Sequence, residues 1–346
     1  MRGVSIEKKL IPTKANMEGV SLKSYKLLKP GEFCFVPDTS RRSDHICIAP
    51  NLDDLSYLVS SVYDVFRIGD ESRLLTKYLH LYFSRTEFDR YARFNSWGSA
   101  REVFSYADMV RVEIPVPSID VQRKIVQTWQ GLRKMKEENE KLVEPLLALC
   151  RSYLQDCKKK YPMKEIGPMI SEDNLRNEDG KFGEDSVRGL STAKEMIPTA
   201  ANLEGVALNS YKRVAPRMFA YVSDTSRRGD KMSLGFNQTE ETYLVSSIST
   251  VFSVDESELN AEYLYLWVLR PEFDRYARFN SWGSARETFN WSDMCRVKIP
   301  LPPIEVQQAV VDVYRCANEA KRIAEEADRL SREICPALVR WAAEGG

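Results

Sequence analysis

The stretch FDRYARFNSWGSARE, from Phe88 to Glu102, recurs without a change from Phe273 to Glu287, 185 positions later. Fifteen identical residues at that distance mark an internal duplication, and the rest of the chain aligns around the two copies. Upstream, IPTKANMEGVSLKSYK at Ile11–Lys26 matches IPTAANLEGVALNSYK at Ile197–Lys212, an offset of 186. At the same offset Asp-Thr-Ser-Arg-Arg at 38–42 matches 224–228, and Tyr-Leu-Val-Ser-Ser at 57–61 matches 243–247. One residue is lost between Phe66 and Tyr78, so each copy covers about 115 residues. Inside the founding stretch Arg90, Arg93 and Arg101 are interleaved with Phe94 and Trp97 and with Asn95, Ser96 and Ser99 around a glycine. Guanidinium groups, flat rings and small hydrogen-bonding groups together suit a surface that grips a polyanion and stacks on something planar.

A chain of 346 residues is too long for one ordinary core and implies at least two domains. No apolar run approaches the roughly 20 residues of a membrane helix. MRGVSIEKKLIPTK at the start has no apolar core behind its charges, so no signal peptide is expected. Seven cysteines without CxxC spacing read as reduced thiols and suggest a cytoplasmic setting, and His45 and His80 alone make a zinc site improbable. The net charge is zero but segregated: residues 119–161 hold 10 Lys/Arg against 6 Asp/Glu, and residues 162–187 hold 3 against 7. Any DNA-binding surface must therefore come from local placement of arginines, because no overall basic field exists.

Within a copy, Gly31–Val36, Tyr57–Val62 and Val65–Ile68 are short β-branched or aromatic runs that predict strands. Thr76 to Phe83, continuing toward Tyr91, predicts a helix, and Asn95 to Ala100 predicts a loop presenting Trp97-Gly98. Arg111–Pro117, like Arg296–Pro302, predicts a last strand stopped by prolines. After each copy comes a long heptad pattern. The first runs through Val121, Ile125, Thr128, Leu132, Met135, Asn139, Leu142, Leu146, Leu149 and Tyr153. The second runs through Val306, Val310, Val313, Ala317, Ala320, Ala324, Ala327, Ser331, Ile334, Leu338 and Trp341. Pro145 predicts a kink or break in the first. Neither seam can bury itself, so the helices are expected to pair antiparallel in a rod on the order of 50 Å long. Packing of each helix on its own domain is the plainer alternative.

The candidate sites divide in the same way. Asp-Thr-Ser-Arg-Arg could be a solvated loop. It could also bring Thr39, Ser40, Arg41 and Arg42, with Thr225, Ser226, Arg227 and Arg228, to base edges in a major groove, where Arg takes guanine bidentately. In the duplicated stretch Phe88, Tyr91 and Phe94 stand at helical spacing and are assigned to the core. Asn95, Ser96, Trp97, Ser99 and Arg101, with Asn280, Ser281, Trp282, Ser284 and Arg286, are the surface candidates. No Gly-rich phosphate loop, GxSxG, HExxH or Asn/Asp-Pro-Pro-Tyr/Phe run is present. Cys150 and Cys157, seven apart on one helix face, are explained as structural thiols. The chain reads as a recogniser that leaves chemistry to a partner.

Two related domains, each followed by a long helix, resemble the specificity subunit of type I restriction-modification enzymes. Ile-Pro-Val-Pro-Ser-Ile-Asp-Val-Gln at 114–122 and its partner at 299–307 carry the likeness, with GVSLKSYKLLKPGEF and the duplicated stretch. The resemblance covers nearly the whole chain. It implies an α+β fold of two similar mixed α/β target recognition domains, 1–118 and 162–303, separated by an antiparallel coiled coil of 119–161 and 304–346. It also implies that each domain reads half of a bipartite site on double-stranded DNA, and that the coil sets the spacer and docks two methyltransferase subunits. Those partners would methylate adenine with S-adenosylmethionine, which this chain would not bind, and restriction subunits can join them. A structural scaffold with duplicated protein-binding domains is the alternative. One departure stands out: Lys164–Gly189 precedes the second copy, whereas the first begins almost at once with Met1-Arg2-Gly3. Either the first domain lacks an edge strand or the chain is truncated.

Overall fold

A computed structural model describes all residues except 14, 15, 17, 20, 41–44, 100, 226–230, 285 and 344–346, and all side chains of those residues except 334–336, 342 and 343. The chain divides into two units, Met1–Lys141 with Ala320–Gly346, and Leu142–Glu319.

Unit 1 begins with seven short strands: β1 (Arg2–Val4), β2 (Leu10–Pro12), β3 (Lys26–Leu28), β4 (Phe33–Phe35), β5 (Ile48–Pro50), β6 (Tyr57–Val59) and β7 (Asp64–Phe66). Helices α1 (Thr76–Phe83), α2 (Thr86–Phe94), α3 (Tyr106–Met109) and the first part of α4 (Ile119–Lys160) follow. All pairings are antiparallel: β1 with β2, β3 with β6, and a three-stranded sheet in the order β5-β4-β7. The period-2 alternation of strands builds two cores from one sheet. Phe33 and Phe35 face Leu79, Phe83, Phe88 and Phe104, while Cys34 faces Val4, Leu28 and Val59. The single helix expected from Thr76 toward Tyr91 is two helices, broken at Ser84 and Arg85. Ser84 Oγ donates to the His80 carbonyl at 2.8 Å, which closes α1 before Glu87 and Asp89 open α2 at the positive end of its dipole.

Unit 2 repeats this plan with two additional strands in front. They are β8 (Met163–Glu165) and β9 (Ile170–Asp173). The repeated strands are β10 (Arg188–Leu190), β11 (Met196–Pro198), β12 (Lys212–Val214), β13 (Phe219–Val222), β14 (Leu234–Phe236), β15 (Tyr243–Val245) and β16 (Ser249–Val254). Then come α5 (Ala261–Val268), α6 (Pro271–Phe279), α7 (Trp291–Cys295), β17 (Lys298–Pro300) and the start of α8 (Ile304–Ala343). Its main sheet has four strands, β14-β13-β16-β9, and β17 pairs with β8. The strand expected at Arg111–Pro117 is not formed, although its counterpart β17 is. The physical reason is the partner: β17 is a strand because β8 supplies its hydrogen bonds, and unit 1 has no equivalent of β8 among its described residues.

Within each unit a part of α4 packs with a part of α8, and the pairing is antiparallel. In unit 1, Lys136 Nζ lies 2.7 Å from Asp328, while ten residues earlier on α4 Val126 shares a core with Val339. In unit 2, Cys150, Leu154 and Cys157 pack into the core that holds Val310, Val311 and Tyr314. The alanine seam holds as read, with Ala317, Ala320, Ala324 and Ala327 all buried. On α4 the reading is half a step off. Ile125, Leu132, Asn139 and Leu146 lie on the inward stripe, but their alternates are Trp129, Lys136, Val143, Cys150 and Leu154. Thr128, Met135, Leu142, Leu149 and Tyr153 point outward. Apolar residues occupy both phases, so hydrophobicity alone could not choose. The Lys136–Asp328 pair marks the phase the fold uses. Pro145 is exposed, and α4 runs through it without a break.

Candidate nucleic-acid interface

In both units the two sequence motifs are brought together by backbone hydrogen bonds. Helix α2 buries Phe88, Asp89 and Ala92 and ends at Asn95. Its last carbonyls are capped by side chains, Asn95 Nδ2 donating to Tyr91 O (2.9 Å) and Ser96 Oγ to Ala92 O (2.6 Å). Trp97 and Val103 then exchange both backbone bonds, at 3.1 and 3.0 Å, which brings the two ends of the Gly98 turn together. Gly98 has φ +143°, and a Cβ there would lie 2.0 Å from the Arg101 carbonyl oxygen, so only glycine fits. The other motif docks on the base of this loop. Thr39 N–H and Oγ1 both donate to Glu102 O (3.0 and 3.1 Å), and Phe104 N–H donates to Pro37 O at 2.9 Å. Arg93 pairs with the Glu102 carboxylate beside this contact. Unit 2 repeats the arrangement: Trp282 with Thr288, Thr225 with Glu287 O, Arg278 with Glu287, and Gly283 at φ +142°.

A buried ion pair holds residues 45–46, which follow the Asp-Thr-Ser-Arg-Arg segment. Lys8 sits in the β1–β2 turn at φ +59°, a conformation that L-residues seldom adopt, and its ammonium reaches Asp89 on α2 and Ile46 O at 2.6 Å. Asp89 also accepts from the Ile46 N–H at 3.0 Å, and its second oxygen lies 3.1 Å from His45 Nδ1. Lys194, Asp274 and Met232 do the same in unit 2. Burial pushes the pKa of both lysines down, partly offset by the carboxylate beside each. Thr39 before residues 41–44 and residues 45–46 after them are thus both held to the body of the unit.

What remains outward is chemically distinctive. Phe94 and Trp97 are 80% and 68% exposed, Phe279 and Trp282 79% and 65%. Arg90, Ser99 and Arg101 surround the first pair in sequence, Arg275, Ser284 and Arg286 the second, and all six are exposed. Each unit thus exposes two large rings three residues apart in sequence, with arginines near them in sequence. They offer stacking faces together with donors for phosphate or for guanine edges.

No family model matches the sequence, and no curated protein matches it either. Solved structures do. The S subunit of the type I restriction-modification system from M. genitalium superposes with a TM-score of 0.54 at 15% identity, covering 91% of this chain and 83% of that one. The fold is that of a type I restriction-modification S subunit. The HsdS subunit from Thermoanaerobacter tengcongensis also matches (TM-score 0.40, 14% identity, 99% of this chain and 86% of that one). So does a chain from a structure on complex assembly and conformational transition of the type I R-M system (0.37, 14%, 91% and 83%).

On this S-subunit fold the sequence-derived candidates separate. Trp97, Ser99 and Arg101, with Trp282, Ser284 and Arg286, are exposed at the glycine loops, whereas Asn95 and Asn280 are half-buried and cap α2 and α6 through their side-chain amides. Ser96, Ser281, Thr39 and Thr225 are buried with their hydroxyls on backbone carbonyls, so they position the loops and do not face outward. Ser40 is exposed and bonded to Asp38 at 2.7 Å. Arg41, Arg42, Ser226, Arg227 and Arg228 lie outside the described residues. Phe94 corrects the core assignment, because it is one of the most exposed large hydrophobic side chains among the described residues and Tyr91 is itself over a third exposed. The signal was present. At about 100° per residue Phe94 stands some 240° round α2 from Phe88, whereas Ala92 and Asp89 share the buried side. Lys8 and Asp89 escaped the sequence reading because 81 positions separate them.

Proposed function

We propose that this chain is a sequence-specific DNA recognition subunit of a type I restriction-modification complex, itself without catalytic activity. The observation that carries the reading is the pair of identical aromatic and arginine loops, each locked to its Asp-Thr-Ser-Arg-Arg segment, on an S-subunit fold. Each unit reads one half of a bipartite duplex site, Trp97 and Phe94 wedging or stacking while the arginines take phosphates and guanine edges. Because the loops are identical, the two half-sites are similar, and the antiparallel helices arrange them as a near-inverted repeat. The coil of α4 and α8 sets the spacer. The outward row Met135, Leu142, Leu149 and Tyr153, 44 to 52% exposed, supports the docking of partner methyltransferase subunits along α4. Those partners hold S-adenosylmethionine and methylate adenine, and restriction subunits can join them.

Binding of the full chain to duplex DNA over a salt series tests this reading. Affinity should fall steeply and log-linearly with salt, and Arg101→Ala with Arg286→Ala should flatten the slope by about one counterion per lost contact. A protein scaffold would show neither DNA binding nor a salt slope.

A further inference from the structure

The two units differ at the outer edge of the main sheet, where the segment that precedes the second copy adds a strand. In unit 2 the outer edge of β16 is paired by β9, with Val251, Phe252, Ser253 and Val254 opposite Asp173, Glu172, Ser171 and Ile170. In unit 1 the equivalent strand β7 pairs only with β4 among the described residues. The consequences reach the side chains. Val251, Phe252, Val297 and Ile299 are buried, whereas their counterparts Val65, Phe66, Val112 and Ile114 are each partly exposed. Lys212 is buried with Glu172 and Asp173 close enough to act on it, while its counterpart Lys26 is partly exposed and reaches Asp64 on β7 at 3.6 Å. An open edge flanked by uncovered apolar residues is a template for another strand.

We propose that the outer edge of β7 is a strand-addition site for an acidic, extended segment of a partner protein, seated antiparallel in the register of β9. Unit 2 specifies the occupant's chemistry. It carries an apolar residue where Ile170 stands, covering Phe66 and its neighbours, and acids where Glu172 and Asp173 stand, near Lys26. Arg67 occupies the place of Ser253, so the residue opposite it, at the position of Ser171, is acidic as well. Charge selects an acidic strand over a neutral one. The site covers the β9 position alone: the Tyr82 hydroxyl already donates to Glu113 O at 3.1 Å, on the segment that β8 would pair.

A labelled peptide of residues 162–176 serves as the probe, tested by fluorescence anisotropy against the full chain. The Ser171→Glu peptide should bind saturably and at least fivefold tighter than the Ser171→Lys peptide. On the Arg67→Glu chain, whose exposed position keeps the fold intact, that order should invert. Absence of binding, or an order of affinities that ignores Arg67, overturns the proposal. Concentration-dependent self-association of the chain that Arg67→Glu abolishes would also overturn it, since it assigns the edge to a second copy. The readout is independent of DNA binding, so failure of one leaves the other standing.

Discussion

Replacing Gln122 with Met should unfasten the first globular domain from the helix that carries it. Gln122 is fully buried near the start of α4. Its amide donates to Arg73 O at 2.7 Å and Pro117 O at 2.8 Å, and its carbonyl accepts from the Leu75 N–H at 2.9 Å. Methionine matches the shape but leaves three backbone groups without partners. Each such loss costs about 1–3 kcal/mol, so the sum is roughly 3 kcal/mol at the least. That is a large share of the about 5–15 kcal/mol that holds a typical domain folded. Hydrogen exchange followed by mass spectrometry localises the effect. Protection should collapse across residues 73–83 and the first turns of α4, and should remain at 258–269. Gln307→Met should mirror this, because Gln307 makes the same three bonds, to Asn260 N–H, Glu258 O and Pro302 O. A stability change below about 1 kcal/mol would refute the reasoning, since it would mean that other groups satisfy the freed backbone.

Four further outcomes follow from the same geometry. Burial holds the His80 imidazole down at about 4, so below pH 6.5 the unfolded chain takes up a proton that the folded unit refuses. Unit 1 should therefore lose stability as pH falls from 6.5 toward 4, by about 1.4 kcal/mol per pH unit, and His80→Tyr, the residue unit 2 carries at Tyr265, should remove that slope in denaturant titrations. Gly98→Ala should distort the loop and weaken duplex binding about tenfold or more, and the strain of about 1–3 kcal/mol should lower the melting temperature by about 2–12 °C. Trp97→Ala and Phe94→Ala should each weaken DNA binding by about tenfold with little effect on stability, the range expected for loss of one stacking side chain. Removing one heptad from both α4 and α8 shortens the coil by about 10 Å, so methylome sequencing should show the spacer shortened by about three base pairs with half-sites unchanged.

The architecture was legible because the duplication is nearly intact and because strands, turns and heptads leave strong local periodicities. The local errors share a cause. Trp97 was recognisable from the glycine turn, but Phe94 was assigned inward by spacing to Tyr91, itself only half committed to the core. The α4 seam had two apolar phases, and only the contact of Lys136 with Asp328, 192 positions away, separates them. Lys8 with Asp89 and Gln122 with Leu75 are likewise long-range polar pairings that no local pattern announces. The strand lost at Arg111–Pro117 shows the same dependence, since Val-Glu-Ile reads as a strand but needs a β8 to become one.

The most direct test is to map methylated adenines across the genome of a host expressing this chain with the methyltransferase subunit proposed as its partner. The account predicts one bipartite motif with two similar half-sites in inverted orientation and a fixed spacer, and an Arg101→Ala variant that relaxes one half alone. Unrelated half-sites, or a motif unchanged by Arg101→Ala and by Trp97→Ala, would contradict it.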